Sequence, residues 1–394
     1  MTFKLEYAII LYYIYIKIQK EVYFTLEKTY KFRIYPNKEQ KILLAKTFGC
    51  VRFVYNHYLD LRQKKWEEEQ VTFNFYDCSK DLTVLKQEKE WLKEVDKFAL
   101  QNSLKDLEFA YKMFWKKNNG YPKFKSKHSN NFSYKTTFTK NNIEFLGNSI
   151  KLPKLKKVKI KDKTLRPQGR ILNATITQVP SGKYYVSVVC TDVEIQLLNK
   201  TNKNIGIDLG IKELATLSDN TKYENKHYLK NSLKRLELLQ KRLTRKPKGS
   251  QNRNKARIKL AKLYEKITNQ RQDYLQKITT EIVRKYDIIC VEDLKISNML
   301  KNHKLSQAIS DCGWYTFTEM LKYKCNWYGK QLIKVPTFYA SSQLCSNCGY
   351  KNKDVKDLKV RIWTCPVCNE IHDRDINASK NILQKGLEIL NNNN

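Results

Sequence analysis

The chain has 394 residues, and its 75 Lys and Arg against 39 Asp and Glu give a formal net charge of +36. A surplus of that size repels itself unless a polyanion neutralises it, which favours nucleic acid over an anionic membrane as the partner. The most apolar stretch, residues 7–16, falls short of the roughly 20 residues that span a bilayer and lacks a small-residue cleavage site. We therefore expect neither a secreted nor an integral membrane protein, but a cytoplasmic one.

Six of the ten cysteines are scattered singly along the chain. Isolated cysteines of this kind are typical of reduced thiols that fill the core of a cytosolic protein. None has a convincing His partner in the sequence, so we assign none of them a catalytic role. They are Cys50, Cys78, Cys190, Cys290, Cys312 and Cys325.

In chain order, the first clear element is a strand at residues 29–35, where apolar and basic side chains alternate. Pro36 ends it, and Asn37 followed by Gln40 predicts a helix that begins with a capping box. A second helical stretch is predicted over residues 91–115.

From residue 132 to 198 the period changes to two, in segments rich in β-branched and aromatic side chains. Residues 180–183, with the sequence Pro-Ser-Gly-Lys, supply a hairpin turn. We expect a small antiparallel β module that closes as a barrel and includes the strand at residues 29–35.

A basic helical pair is predicted at residues 228–247 and 251–285. Residues 225–266 contain 15 Lys or Arg and only two acids, a net charge of +13. The leucines of the first helix indicate packing. The charges could form a solvated face, but two acids cannot offset fifteen bases, which favours contact with phosphates.

Three carboxylates are distinguished by their context. Asp208 lies on a predicted strand between Gly206 and Gly210, which leave room for a bulky partner. Glu292 ends a short apolar run typical of a buried strand, and the carboxyl ends of such strands are where open α/β sheets bind ligands. The third comes from the start of the last helix, where Asp375 is favoured over Asp373, which we expect to cap that helix.

Each of these acids alone also has a structural explanation, as turn chemistry, a strand-end charge or a helix cap. Together, in so basic a protein, they predict a shared site, because clustered acids repel one another unless cations bridge them. Two Mg²⁺ ions about 3.5–4 Å apart are the usual solution for phosphodiester cleavage.

The last four cysteines form two Cys-x-x-Cys pairs separated by sixteen residues. Each two-residue gap presents two thiolates to one ion, and zinc prefers four such ligands in a tetrahedron. We expect a zinc ribbon with a structural ion, since four thiolates leave no open position for a substrate. A redox dithiol pair is the alternative, but no thioredoxin-like βαβ context accompanies it. The predicted ligands are Cys345, Cys348, Cys365 and Cys368.

These motifs, in this order, resemble the TnpB family of transposon-encoded, RNA-guided DNA endonucleases, relatives of the type V CRISPR effectors. The resemblance covers about residues 28 to 390 and rests on residues 205–210, residues 291–294, the four cysteines and residues 373–377. Supporting matches are residues 30–36, Gly49 and Arg52 with Tyr55 and Asn56, residues 120–125, and Tyr323 with Lys324.

The resemblance implies a multidomain α+β protein with an RNase H-like (RuvC) α/β nuclease domain. A zinc ribbon is inserted in that domain, and an N-terminal β-barrel wedge domain carries a helical recognition insertion. The implied boundaries are 28–36 and 130–202 for the wedge, 37–129 for the helical domain, 203–342 and 371–390 for the nuclease with a basic insertion at 225–285, and 343–370 for the ribbon.

The resemblance also implies that Asp208, Glu292 and Asp375 hold Mg²⁺ as the catalytic acids. The partners would be a guide RNA made from the transposon end and double-stranded DNA with a short flanking motif, besides a possible transposase encoded by the same element. Tyr55 and Arg52 could equally be a core residue and a solvated charge. The candidate nucleic-acid contacts are Arg52, Tyr55, Asn56, Lys123, Lys125, Lys241, Arg242, Arg245 and Arg374.

Two other functions use the same features. A transposase could join strands with the same three acids, because RNase H-like folds serve both reactions, and it would bind terminal repeats without RNA. A non-catalytic nucleic-acid-binding regulator would be favoured if one of the acids were replaced, and all three are present.

Family members usually begin close to the strand at residues 28–35. We therefore expect residues 1–27 to be an extension or the result of an upstream start codon, so that deleting residues 1–24 leaves cleavage intact. Residues 391–394 are expected to be an inert tail.

Overall fold

The computed structural model describes residues 23–129, 132–161, 166–357 and 359–392. The chain divides into two compact units, one of residues Thr25–Glu194 and the other containing Ile195–Asn394. The predictions for the leader at residues 1–22 and for the last two residues lie outside the described part. Among the described residues, no helix combines the length and the apolarity needed to cross a membrane.

The first unit contains a seven-stranded sheet with the strand order β2-β6-β7-β1-β5-β4-β3. The predicted strand at residues 29–35 lies inside β1 and joins the sheet where Ile34 is opposite Ile160, and the predicted hairpin links β6 to β7. The strands are β1 (Tyr23–Tyr35), β2 (Phe132–Thr137), β3 (Glu144–Leu146), β4 (Ser149–Leu152), β5 (Lys156–Ile160), β6 (Arg170–Gln178) and β7 (Tyr184–Gln196).

Three helices of the same unit, α1 (Lys38–Glu69), α2 (Phe75–Glu88) and α3 (Lys97–Trp115), lie between β1 and β2 in the chain. The predicted capping box is confirmed: the Asn37 side chain accepts from the Gln40 backbone N–H, and the Gln40 side chain accepts from the Asn37 N–H.

The second predicted helix was wrong at its start. Glu90–Lys93 form a 3₁₀ turn, and α3 begins only at Lys97. The reason is local, because the Asp96 carboxylate accepts a hydrogen bond from the Phe98 N–H and so caps α3 there.

The second unit is built on a five-stranded sheet with the order β10-β9-β8-β11-β12. β8, β11 and β12 run parallel, whereas β9 is antiparallel to β8 and β10 is antiparallel to β9. The strands are β8 (Asn204–Asp208), β9 (Glu213–Leu217), β10 (Lys222–Glu224), β11 (Ile288–Glu292) and β12 (Gln331–Val335).

The two faces of this sheet are covered by different helices. Ile205, Ile207 and Ile289 point into the main core with residues of α5 and α8. The alternate residue Cys290 packs on the other face against Ile382 of α9. The helices of this unit are α4 (Leu233–Thr244), α5 (Gln251–Lys285), α6 (Ile296–Met299), α7 (Ser306–Cys312), α8 (Trp314–Tyr328) and α9 (Arg374–Asn392).

The basic helical pair is present with one change. The second helix, α5, has the predicted bounds, but the first is shorter than predicted, with a 3₁₀ turn at Lys230–Ser232 followed by α4. The Asp311 carboxylate accepts from the Leu229 and Lys230 N–H groups, which holds the chain there in a tight turn. Between β12 and α9, the chain forms the short antiparallel pair β13 (Ile362–Thr364) and β14 (Ile371–Asp373).

Candidate metal centres

Two of the three predicted acids lie side by side at the carboxyl ends of two neighbouring strands. β8 and β11 are parallel neighbours with Val291 opposite Ile207. Asp208 and Glu292 are the next residues on the two strands, and each is the last residue of its strand. Both side chains belong to the face that α9 covers, because Ile207 and Val291, their neighbours in the chain, are fully buried on the opposite face.

The third acid, Asp375, lies in the first turn of α9, and this helix packs unusually close to the sheet. A Cβ atom at Gly206 would lie 2.0 Å from the Ser379 carbonyl oxygen, so only glycine allows this approach. Asp375 lies one helical turn before Ser379, and Asp208 lies two residues beyond Gly206 along the strand. Both steps cover about 6–7 Å, so the first turn of α9 comes to the strand ends.

The structure confirms the predicted helix cap at the start of α9. The Asp373 carboxylate accepts from the backbone N–H groups of Asp375 and Ile376 at 3.0 and 3.1 Å, so it caps the helix. Asp375 lies inside the first turn, where the Arg361 guanidinium donates to its two carboxylate oxygens at 3.2 and 3.4 Å.

The three acids, which we call the acid cluster, interact electrostatically. Burial raises the pKa of Asp208 well above its usual range, the charges of Glu292 and Asp375 raise it further, and Arg374 and Arg361 oppose the shift. Burial also raises the pKa of Glu292, against the hydrogen bond that the Ser341 hydroxyl donates at 2.5 Å. The nearby arginines therefore balance the negative charge of the acid cluster only in part. Its hard carboxylate oxygens are the ligands that Mg²⁺ prefers.

The spacing of the acid cluster differs from that of a one-ion site. Ligand atoms of a single Mg²⁺ are at most about 4.2 Å apart, twice its ligand distance. Within the described ranges, the only group of three or more potential ligands with all atoms within 4.8 Å of one another is the four cysteines. One ion could not bind all three acids as they stand, whereas two neighbouring ions tolerate a wider spacing.

The four predicted cysteines form a second cluster, which we call the cysteine cluster. Their sulfur atoms all lie within 4.8 Å of one another. The Sγ–Sγ distance is 3.6 Å between Cys345 and Cys368 and 3.5 Å between Cys348 and Cys365. Tetrahedral zinc with 2.3 Å bonds requires about 3.8 Å, so the donor set fits structural zinc.

Two similar turns build this cluster. The Gly349 N–H donates to the Cys345 carbonyl and the Asn369 N–H to the Cys365 carbonyl, both at 2.9 Å. Gly349 and Asn369 both have positive φ, 76° and 57°, as the turns require.

Buried polar residues that sequence reasoning missed connect the two clusters. The Asn377 side chain, from α9, accepts from the Ser346 N–H and donates to the Leu344 carbonyl. Asn381 donates to the carbonyls of Ser341 and Leu344. The available signal was two asparagines four residues apart on the buried stripe of a helix, because buried amides need partners.

Three of the five predicted nucleic-acid contacts of the first unit, Tyr55, Asn56 and Lys125, contact one another. The Asn56 side chain exchanges two hydrogen bonds with the backbone of Lys125, at 2.8 and 3.0 Å. Tyr55 is buried, and the Lys125 ammonium lies 3.9 Å from the centre of its ring. Arg52 lines a cavity with Lys125, and Lys123 is exposed. Tyr55 therefore belongs to the core, one of the two alternatives above.

The predicted contacts of the second unit are of two kinds. Lys241, Arg242 and Arg245, at the end of α4, are exposed. Arg374 is buried and donates to the Asp357 carbonyl at 2.7 Å, so it holds the loop between the two cysteine pairs. Its charge also lowers the pKa of Asp208, which brings it into the surroundings of the acid cluster.

Three family models match the chain. One described as "Probable transposase" matches residues 187–303, one described as "Cas12f1-like, TNB domain" matches residues 314–382, and one described as "Helix-turn-helix domain" matches residues 26–70. The last range forms β1 and α1 here, a strand and a single long helix.

Several curated proteins are similar to the chain. "Putative RNA-guided DNA endonuclease" of Streptomyces pristinaespiralis is 37% identical over 366 residues, 92% of this chain and 90% of that protein. "Putative RNA-guided DNA endonuclease InsQ" of Escherichia coli K12 is 33% identical over 382 residues, 92% of this chain and 93% of that protein. "TnpB-like protein L79" of Acanthamoeba polyphaga mimivirus is 28% identical over 206 residues, 48% of this chain and 39% of that protein.

Among solved structures, a chain of a CRISPR-Cas12f ternary complex is 16% identical, with 88% of this chain and 82% of that chain covered. The TM-score is 0.37, which is too low to bear on the fold.

Proposed function

The chain belongs to the TnpB family, and from that premise we propose that it is an RNA-guided DNA endonuclease encoded by a transposable element. The proposal rests above all on the acid cluster, in which two parallel strand ends and a helix start bring Asp208, Glu292 and Asp375 into electrostatic contact. Two full-length relatives named as putative RNA-guided DNA endonucleases support it.

We propose that the five-stranded sheet with its flanking helices is an RNase H-like (RuvC) nuclease domain. Its supports are the parallel β8-β11-β12 strands, the antiparallel β9 and β10, and α9 on the acid-bearing face. The cysteine cluster would be a zinc ribbon inserted before α9. The seven-stranded sheet would be the wedge domain, with α1–α3 as its helical recognition insertion.

In this mechanism the acid cluster would hold two Mg²⁺ ions. When bound, such ions polarise the scissile phosphate, activate water and stabilise the leaving oxygen. Asp208 contributes a carboxyl whose pKa is raised by burial and by the charges of Glu292 and Asp375, while the Ser341 hydroxyl orients Glu292 and Arg361 holds Asp375. Arg374 adds positive charge next to Asp208, where a phosphate would lie.

The substrate strand would be chosen by base pairing with a guide RNA made from the transposon end, and the protein would grip the hybrid by its backbone. The exposed Lys241, Arg242 and Arg245 lie in a segment of net charge +13, which suits contact with the phosphates of that duplex. A short motif beside the DNA target would be read by the first unit.

The test is to purify the protein, sequence the RNA that copurifies, and rebuild the complex on DNA with a matching target. We expect Mg²⁺-dependent cuts that follow the guide sequence and are lost in Asp208→Ala. A chain without associated RNA, or cleavage unchanged in Asp208→Ala, would contradict the proposal.

A transposase that joins strands is the second candidate, because the model described as "Probable transposase" matches residues 187–303. It should act on terminal repeats after ribonuclease treatment and yield joined strands. The endonuclease should lose its activity on that treatment and yield free ends.

A further inference from the structure

A cavity of about 330 Å³ lies in the helical part of the first unit. Its wall comes from α1, from α3, from the segment that links α1 to α2, and from a residue that follows α3. Most of the wall is aromatic, so we call it the aromatic cavity. The aromatic side chains are Trp66, Phe73, Tyr111, Phe114, Trp115 and Tyr121.

The rim of the aromatic cavity exposes rings that a folded protein usually buries. Trp66 and Trp115 are 55% and 56% exposed, and they are the two most exposed of the six tryptophans in the chain. Exposed apolar side chains that are grouped in this way mark binding sites. A ligand that covers the two rings would remove their apolar area from water.

Contacts among the rings hold one side of the cavity in place. The hydroxyls of Tyr111 and Tyr121 share a hydrogen bond at 3.0 Å, and the two rings meet edge to face. The Trp115 ring centre lies 5.5 Å from that of Tyr111, and Phe114 also packs edge to face against Tyr121. The wall is therefore formed before a ligand arrives, as in most small-molecule sites.

The charge at the floor of the cavity does not suit an ion. Arg62 is 7% exposed and donates to Glu108 at 2.9 Å, and its guanidinium carbon lies 4.2 Å from the centre of the Tyr111 ring. The guanidinium thus already occupies the place over that ring which a ligand cation would take. Glu108 neutralises Arg62, and no other charged side chain of the described residues lines the cavity, so a phosphate is not favoured either. The cavity favours a flat, uncharged ring.

The surroundings of the cavity indicate a nucleobase rather than an apolar side chain of another protein. Residues 111–125 contain five lysines and no acid, and Lys116, Lys117 and Lys123 are exposed. Trp115 and Tyr121 lie in the same segment, so a nucleic-acid backbone that contacts these lysines would carry its bases to the rim. Every base has a π-face that stacks on an aromatic ring.

RNA is a better source of such a base than the target DNA. Proteins recognise RNA mainly at loops and bulges, where unstacked bases splay out and stack on aromatic side chains. The bases of a DNA duplex, or of a hybrid between guide and target, are already paired and stacked.

We infer that the aromatic cavity binds one unpaired base of the guide RNA, outside the part that pairs with DNA, with Trp66 and Trp115 as the rings that contact it. The inference rests on the proposed function and adds a base-binding subsite in the helical insertion. The subsite distinguishes the folded guide from other RNA of the same length and charge, because only an RNA with an unpaired base at the matching place fills it.

The first experiment locates the base. The complex of the chain with its copurifying RNA and a matching DNA target is irradiated with ultraviolet light, both nucleic acids are digested, and mass spectrometry identifies the residues that carry a nucleotide. We expect a ribonucleotide on Trp66, Trp115 or Tyr121. A deoxyribonucleotide there, or ribonucleotides only on other residues, would overturn the inference. Phe109 is 63% exposed on α3 but lies outside the cavity wall, and an equal yield at this control would also overturn it.

The second experiment measures the affinity of the chain for the same RNA. Trp115→Ala should weaken binding at least about fivefold, the lower end of the stacking range, with an unchanged unfolding midpoint because the ring is largely exposed. Trp115→Tyr keeps a ring and should retain most of the affinity, and Phe109→Ala is the matched control and should bind as the wild type does. Unchanged affinity in Trp115→Ala would overturn the inference, whether or not its midpoint falls.

The third experiment removes the bases of the RNA one at a time. One abasic position in an unpaired segment should weaken binding to the wild type at least about fivefold and have no further effect in Trp115→Ala, since base and ring act as one contact. Losses that add at every position would overturn the inference.

These outcomes can be told apart from a failure of the endonuclease proposal. If Trp66→Ala and Trp115→Ala both bind the RNA as tightly as the wild type and guided cleavage proceeds, the inference is overturned and the endonuclease proposal is intact. If both variants bind the RNA more weakly and the wild type does not cut DNA, the subsite is supported and the endonuclease is contradicted.

Discussion

The cysteine cluster and the acid cluster are both built from potential metal ligands, but they are assembled in different ways. The four sulfur atoms already stand at distances that fit tetrahedral zinc. Burial and the charges of Glu292 and Asp375 raise the pKa of Asp208, and each of those two carboxylates is held by a protein partner, Ser341 or Arg361.

The difference follows from charge and from distance along the chain. Each cysteine pair lies within one tight turn, and protonated thiols can approach one another without an ion. The acids come from three distant segments and carry like charges, so burial and repulsion keep them from closing around one point. A cluster of local, neutral donors can therefore be complete before its metal arrives, whereas a cluster of distant anions needs the metal for its final form.

The strongest test of the acid cluster is Asp208→Asn, which keeps the shape of the side chain and removes its charge. We expect guided cleavage to fall by about a thousandfold or more, equivalent to about 4 kcal/mol of activation free energy. In the presence of a metal chelator, the unfolding midpoint of the variant should equal or exceed that of the wild type, because the substitution removes a buried charge that its neighbours repel. A large drop in the midpoint would mean that Asp208 stabilises the fold instead.

For the cysteine cluster we expect a substitution to lower the stability of the fold, in contrast to Asp208→Asn. Cys365→Ser should lose about one equivalent of zinc per chain and lower the free energy of unfolding by about 3 kcal/mol, since structural metal binding contributes to folding. Metal analysis and urea unfolding measure the two effects. Cys325→Ser, a buried cysteine outside the cluster, is the control and should keep its zinc. Equal zinc in both variants would refute the assignment.

Gly206→Ala tests the approach of α9 to the sheet. The added Cβ would meet the Ser379 carbonyl oxygen at 2.0 Å, so the helix must shift and take Asp375 with it. We expect a loss of about 1–3 kcal/mol in stability, together with slower cleavage. At Gly49, in α1, a Cβ meets nothing within 4 Å, so Gly49→Ala should leave stability equal or slightly higher. Similar effects of the two substitutions would contradict the close packing.

Ser341→Ala removes the hydroxyl that orients Glu292. Replacing a residue that hydrogen-bonds to a metal ligand typically lowers metal affinity or activity by a factor of 10 to 100. We expect the Mg²⁺ concentration for half-maximal cleavage to rise about tenfold, with little change in zinc content. An unchanged Mg²⁺ requirement would show that Glu292 is positioned without this bond.

The smallest effect concerns a buried charge that the protein compensates by itself. The Lys324 ammonium donates to the Gln276 carbonyl and to the hydroxyls of Thr279 and Thr280, and burial lowers its pKa to about 8. From pH 8 to about 10.5 the unfolded chain holds a proton that the folded one has released, so stability should rise with pH in that window.

Urea unfolding of wild type and Lys324→Met tests this directly. Between pH 8 and 10, the free energy of unfolding of the wild type should rise relative to that of Lys324→Met by an amount on the order of 1 kcal/mol. Below pH 8 the difference between the two proteins should not depend on pH. Lys322→Met, on the exposed side of the same helix, is the control and should follow the wild type. A flat wild-type profile would mean that the three hydrogen bonds hold the proton to higher pH.

Local features were predictable where one short segment contains all of the physical information. The capping box at Asn37 and Gln40, the bounds of α5, and the two cysteine turns each follow from residues a few positions apart. The start of α3 was missed although its cap is also local, because the apolar pattern continues through the 3₁₀ turn before Asp96.

By itself, the sequence determined the strand inside β1, the capped start of α1, the bounds of α5, the four cysteines that come together and the three acids that stand out from their surroundings. Only the tertiary structure decided that Ser341 and Arg361 are the partners of Glu292 and Asp375, and that the Asn56 side chain binds the backbone of Lys125. The physical reason is that a hydrogen bond or ion pair depends on distance in space. When two residues lie tens of positions apart in the chain, no local periodicity of the sequence indicates that they are in contact.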